Sequence, residues 1–134
     1  MKSISLCLVL AAGLAGCGLS VQSPDLFLLT RTGAGHKLTL LVSDDGTIRC
    51  DGGSAKPLPD KLLLQARDLA TKLNSDANRG LDISRTPQSV AMYRVRVQKG
   101  TISFPDTAAS THSELAQLEL FAVQASQHPC GLAS

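Results

Sequence analysis

Tyr93, Val95 and Val97 alternate strictly with Arg94, Arg96 and Gln98, and this period of two constrains the fold more than any other feature of the chain. Successive side chains of a strand point to opposite faces, so the segment requires a sheet with one buried face and one wet face. Strands of a parallel sheet are covered on both faces and read as continuous apolar runs, so the pattern predicts an antiparallel sheet. After a turn expected at Lys99-Gly100, Ile102 and Phe104 resume the inward positions until Pro105 stops them.

Other segments supply partners for that strand. Leu26 to Thr30 is a short apolar run between Pro24-Asp25 and Gly33-Ala34-Gly35, and it reads as a buried strand. Residues 37 to 42 partly alternate before Ser43-Asp44-Asp45-Gly46, a strong turn signal, and Thr47 to Cys50 returns as the hairpin partner. Asp51 to Lys56 reads as loop. Pro57-Leu58-Pro59-Asp60 then opens a helix, with proline where the missing N–H costs nothing and an acid near the positive end of the dipole. Leu62, Ala66, Leu69 and Leu73 recur at helical spacing with Leu63 and Ala70 beside them, which predicts a core-facing stripe. Residues 74 to 89, rich in Asn, Ser, Asp and Gly, read as a connection. Thr111 and Glu114 have capping-box spacing ahead of Leu115, Leu118, Phe121, Ala122 and Ala125, a second amphipathic helix that Pro129 ends. The expected fold class is α+β: antiparallel hairpins in one sheet with two amphipathic helices on one face, in the order ββ(β)αββα.

The first residues carry an address rather than part of that fold. Lys2, the apolar run from Ile4 to Ala12 and the small pair Ala15-Gly16 meet the requirements of a secretory signal, and the run is too short for a spanning helix. The sequence Leu14-Ala15-Gly16-Cys17 resembles the bacterial lipobox. That resemblance implies cleavage before Cys17 and a thioether-linked diacylglycerol on it, with two or three acyl chains such as palmitate. One chain holds a protein only marginally, whereas two or more give lasting attachment. The expected organisation is a lipoprotein signal peptide over residues 1–16, a lipidated tether over 17–25 and a single α+β domain over 26–134. The expected location is the extracytoplasmic face of the cell membrane, or the outer membrane in a Gram-negative organism.

Cys7 leaves with the signal and Cys17 takes lipid, so Cys50 and Cys130 remain as an even pair in an oxidising compartment, and a disulfide between them is expected. Closing a loop of that length stabilises a fold by up to about 4.5 kcal/mol in the chain-entropy model.

Charge and composition narrow the function. The whole chain has 13 Lys and Arg against 11 Asp and Glu, and the signal removes Lys2 alone among the charged residues, so the mature balance is near neutral. That argues against electrostatic nucleic-acid binding. Trp is absent and Tyr93, Phe27, Phe104 and Phe121 all sit in apolar patterns, leaving few aromatic faces for stacking sugars or bases. The chain lacks G-x-S-x-G, S-x-x-K, H-E-x-x-H, a P-loop, G-x-G-x-x-G and C-x-x-C. His36, His112 and His128 have no ligand spacing, and Asp44-Asp45-Gly46 suits a hairpin turn better than a calcium loop, so neither a metal nor a cofactor is expected. A dispersed triad of Asp106, His112 and a serine is the enzymatic alternative, but no constellation specifies it. Arg94 and Arg96, extended by Lys99, form the most site-like feature: two guanidinium groups side by side on a strand face, able to grip carboxylates or lipid headgroups.

From Leu58 to Phe121 the pattern L-P-x-x-L-x-x-x-A-x-x-L, then Y-x-V-x-V-x-x-G, an aspartate and E-L-x-x-L is similar to the emfourin-like group of protease-inhibitor-related proteins. The resemblance spans about half the chain and rests mostly on apolar positions. The glycine-rich start and valine-aspartate pair of that group are not reproduced, since Asp51-Gly52-Gly53 lies close to the first helix. The chain also resembles small lipoproteins of high-GC Gram-positive bacteria. The favoured expectation is a non-enzymatic, membrane-anchored binding module that presents a hairpin face to an envelope protein. Inhibition of a secreted metalloprotease and a hydrolase activity are the alternatives.

Overall fold

The computed structural model describes residues 24–132. The expected signal peptide and all of the tether but Pro24 and Asp25, including the expected lipidation site Cys17, lie outside them. Six strands and two helices follow in the order β1 (Asp25–Gly33), β2 (His36–Ser43), β3 (Thr47–Cys50), β4 (Ala55–Pro57), α1 (Asp60–Asn78), β5 (Ala91–Val97), β6 (Gly100–Pro105) and α2 (Ser113–Gln127), with a 3-10 turn at Asp106–Ser110 before the last helix. The strands form one sheet in the order β4-β3-β2-β1-β5-β6, and every neighbouring pair is antiparallel. The fold is α+β.

Alternation works as the sequence implies. Phe27 and Leu29 of β1, Leu40 and Val42 of β2, Ile48 of β3, Tyr93, Val95 and Val97 of β5, and Ile102 and Phe104 of β6 are buried on one face. Leu62, Ala66, Leu69 and Leu73 of α1 and Leu115, Leu118, Phe121 and Ala125 of α2 close over them. Phe121 meets Phe27 edge to face at 5.6 Å, and Tyr93 stacks on Phe104 at 5.1 Å. Cys50 and Cys130 are disulfide-bonded with Cα atoms 5.8 Å apart, joining the end of β3 to the segment after α2.

Ala34 and Gly35 connect β1 to β2 with φ of 50° and 76°, the paired positive values of a tight hairpin turn. Gly33 is required for a different reason: a Cβ there would lie 2.4 Å from the Val90 carbonyl oxygen.

Four local expectations need correction. Ala55–Pro57 is a short edge strand on β3, where Ala55 and Lys56 are expected in a loop and Pro57 at the opening of the helix, because Arg49 and Ala55 pair across the turn at Asp51-Gly52 and α1 starts only at Asp60. Helix α1 runs on through Asn78, where residues 74 to 78 were expected to be connection. There Asn74 Oδ1 accepts the Lys99 amide at 2.9 Å, and buried Asp76 pairs with Arg79. The turn between β5 and β6 is centred on Gln98 and Lys99, since Val97 pairs with Gly100. The capping box does not form: His112 occupies the cap position, and the Thr111 hydroxyl donates instead to the Ala108 carbonyl of the preceding 3-10 turn.

Candidate binding face

The helices occupy only one side of the sheet. On the opposite side the register aligns Ala55, Arg49, Leu41, Leu28, Arg96 and Thr101 in a row across all six strands. The next row carries Thr39, Thr30, Arg94 and Ser103, and the one beyond it Lys37, Thr32, Met92 and Pro105. Leu28 and Leu41 pair directly across β1 and β2. Leu28 is only 5 % exposed although it stands outside the main core.

Lys37, Arg49, Arg94 and Arg96 are all exposed on this face. Asp25 is brought to its margin by a bulge between Asp25 and Phe27, Asp51 accepts the Thr39 amide at one end of the second row, and Asp82 bridges to Ser103 at the other. Arg49 Nη1 donates to the Gly53 carbonyl at 3.2 Å, which steadies the β3 end of the row. On the helical side Asp60, Asp68, Asp76, Glu114 and Glu119 are accompanied by Arg31, Lys56, Lys61, Arg67, Lys72 and Arg79.

The structure brings Arg94 and Arg96 together as expected and adds Arg49 and Lys37 to them. It does not add Lys99, which lies in the turn with its amide bonded to α1, because the two-residue alternation ends at Val97. The signal for Arg49 was its place after buried Ile48 in Thr47 to Cys50, but only the strand order puts it in line with Arg96.

A second polar group lies on the helical side at the edge of the core. The Arg31 guanidinium sits 6.0 Å from the Tyr93 ring centroid. Burial pushes the Glu119 carboxyl up to about 7, with the negative charge of Asp106 adding to the rise and Arg31 opposing it. Burial likewise raises the Tyr93 phenol, with Glu119 adding to the rise. Glu119 Oε1 is buried and has no hydrogen-bond partner among the described residues.

Other candidate chemistry is dispersed. Asp106 accepts the Val90 and Thr107 amides, while His112 Nδ1 meets the Thr111 hydroxyl 3.0 Å away, so the two residues of the dispersed triad are engaged separately. His36 begins β2 and His128 follows α2. Asp45 accepts the Thr47 hydroxyl and amide, a turn contact in which the hydroxyl holds its carboxyl below the ordinary value, and Asp44 pairs with Arg67. A shallow cleft of about 260 Å³ between α1 and α2 is lined by Gln65, Asp68, Leu69, Gln117, Leu120 and Gln124. Its one carboxylate is paired with Lys72 at 2.8 Å. Among the described residues no helix is long and apolar enough to cross a membrane.

Compared with protein-family models, curated proteins and solved structures, the chain matches none.

Proposed function

We propose that this protein is a lipid-anchored, extracytoplasmic binding module of the bacterial envelope, held through Cys17, and that it engages an anionic partner through the face of its sheet opposite the two helices. The observation that carries this reading is the row in which Arg49 and Arg96 flank the Leu41–Leu28 pair, with Arg94 one row away. Guanidinium groups make charge-assisted, often bidentate bonds to carboxylates and phosphates. The lipobox-like Leu14-Ala15-Gly16-Cys17 supplies the anchor, and the Cys50–Cys130 bond suits an oxidising compartment.

A photo-crosslinking side chain at Thr30, directly opposite Arg94, tests the reading in living cells. Irradiation is expected to give a reproducible adduct that disappears when Arg94→Glu and Arg96→Glu are combined. An adduct unchanged by that double charge reversal, or no adduct at all, would defeat it.

A further inference from the structure

We infer that the cleft between the last turns of α1 and the first turn of α2 binds the zwitterionic head of a free α-amino acid, with its ammonium on the Asp76 carboxylate and its carboxylate at the N-terminus of α2. The site is separate from the sheet face, and it stands whether or not that face engages an anionic partner.

Three features carry it. The first is an unmet acceptor. Asp76 is only 3 % exposed, and while Oδ1 accepts from the Arg79 guanidinium, Oδ2 is buried with no hydrogen-bond partner among the described residues. A buried carboxylate oxygen without a donor is costly and rare, so a ligand N–H placed there supplies a bond that the protein alone does not make. The second is where that carboxylate lies. Asp76 lines a cleft of about 270 Å³ together with Lys72, Ser75, Arg79, Ser113 and Glu114. Helix α1 brings its C-terminal turn to this cleft and α2 its N-terminus, so the two helix dipoles give it a negative side and a positive side. His112 holds the cap position of α2 without a side-chain bond to the helix. The Ser113 and Glu114 amides, the first of the helix, are directed along its axis, a position that favours an anionic oxygen. The third feature is the balance of charge. A simple anion would meet Asp76 and Glu114, and a simple cation would meet Arg79 and Lys72, the latter already shared with Asp68 and Gln117. An ammonium and a carboxylate separated by one carbon let a single small molecule meet each sign with its opposite. The cleft is smaller than the about 300–1,000 Å³ of sites for larger ligands, and its six lining residues include no apolar side chain, so the side chain of the amino acid stays in solvent.

The test titrates alanine into the 15N-labelled protein, isolated in detergent from its own cells, and follows the backbone amides by NMR. Saturable shifts are expected at Ser113 and Glu114 with a Kd of about 1 mM or lower. Propionate and ethylammonium, each of which carries one of alanine's two charges, should bind at least about 10-fold more weakly. Asp76→Asn, which keeps the shape and removes the charge, should weaken alanine at least about 10-fold. Lys72→Gln, at an exposed position, should weaken it about 3-fold, and it keeps the test decisive if Asp76→Asn unfolds the chain. Lys61→Gln, at the other end of α1, should leave binding unchanged. Absence of any saturable shift, which would leave Asp76 to an ordered water, would overturn the inference. So would equal binding of propionate or ethylammonium, a folded Asp76→Asn variant that binds alanine as the parent does, or equal losses from Lys72→Gln and Lys61→Gln.

Discussion

Arg49 and Arg96 stand on opposite sides of the Leu41–Leu28 pair in one row across four adjacent strands, which places their backbones about 14 Å apart. Both side chains are exposed, so their charge serves the surface more than the core. Arg94→Gln with Arg96→Gln should accordingly change folding stability by no more than about 0.5 kcal/mol per site, as checked by urea unfolding.

The disulfide should matter far more. Replacing Cys50 and Cys130 by serine releases a loop with a sequence separation of 80 residues. The expected loss is about 2–4 kcal/mol, read as a lower urea midpoint with a steeper slope, because the released unfolded chain exposes more surface.

Phe121 is 1 % exposed and meets Phe27 edge to face, joining α2 to the sheet. Phe121→Ala should cost about 3–5 kcal/mol, since the surrounding side chains close only part of the space it leaves. Calorimetry would show this as a large fall in Tm, and an unchanged Tm would mean that α2 does not pack as described.

The two glycines of the first hairpin should respond to alanine for different reasons. At Gly33 the new Cβ would meet the Val90 carbonyl oxygen at 2.4 Å, so backbone must shift and the cost is about 1–3 kcal/mol. At Gly35 nothing lies nearby and only the positive φ of 76° opposes the change, so the cost should be about 1 kcal/mol. Parallel thermal melts of the two variants check the order.

Glu119 makes the fold sensitive to pH in a defined direction. Its carboxyl, pushed up to about 7 by burial, titrates higher in the folded chain than in the unfolded one, where its value is near 4.5. The folded state therefore holds this proton more tightly, and stability falls as pH rises from about 4.5 to 7 before levelling off above that. With allowance for the side chain's partial exposure the change is about 1 kcal/mol. Glu119→Gln, which cannot ionise, should flatten this part of the stability profile measured between pH 5 and 8.

The regular elements were legible because single periodicities specify them: two for Tyr93 to Val97, and near 3.6 for Leu62 to Leu73 and for Leu115 to Ala125. The departures occur where a tertiary contact overrides local composition. Asn74 and Asp76 resemble a linker in sequence yet extend α1, because one accepts the Lys99 amide and the other is buried beside Arg79. Ala55–Pro57 has no strand signature of its own and takes its conformation from pairing with β3. The same limit applies to the binding face. Arg94 and Arg96 belong to one strand and could be read from it, whereas Arg49 and Lys37 join them only through the order β3-β2-β1-β5, which no local pattern encodes.

The intact mass of the protein extracted from the membranes of its own cells tests the proposed anchor most directly. The expected mass is that of residues 17–134 carrying a diacylglycerol on Cys17, with or without a third acyl chain. A mass that retains residues 1–16, or one with an unmodified Cys17, would contradict the reading of this chain as a lipid-anchored module.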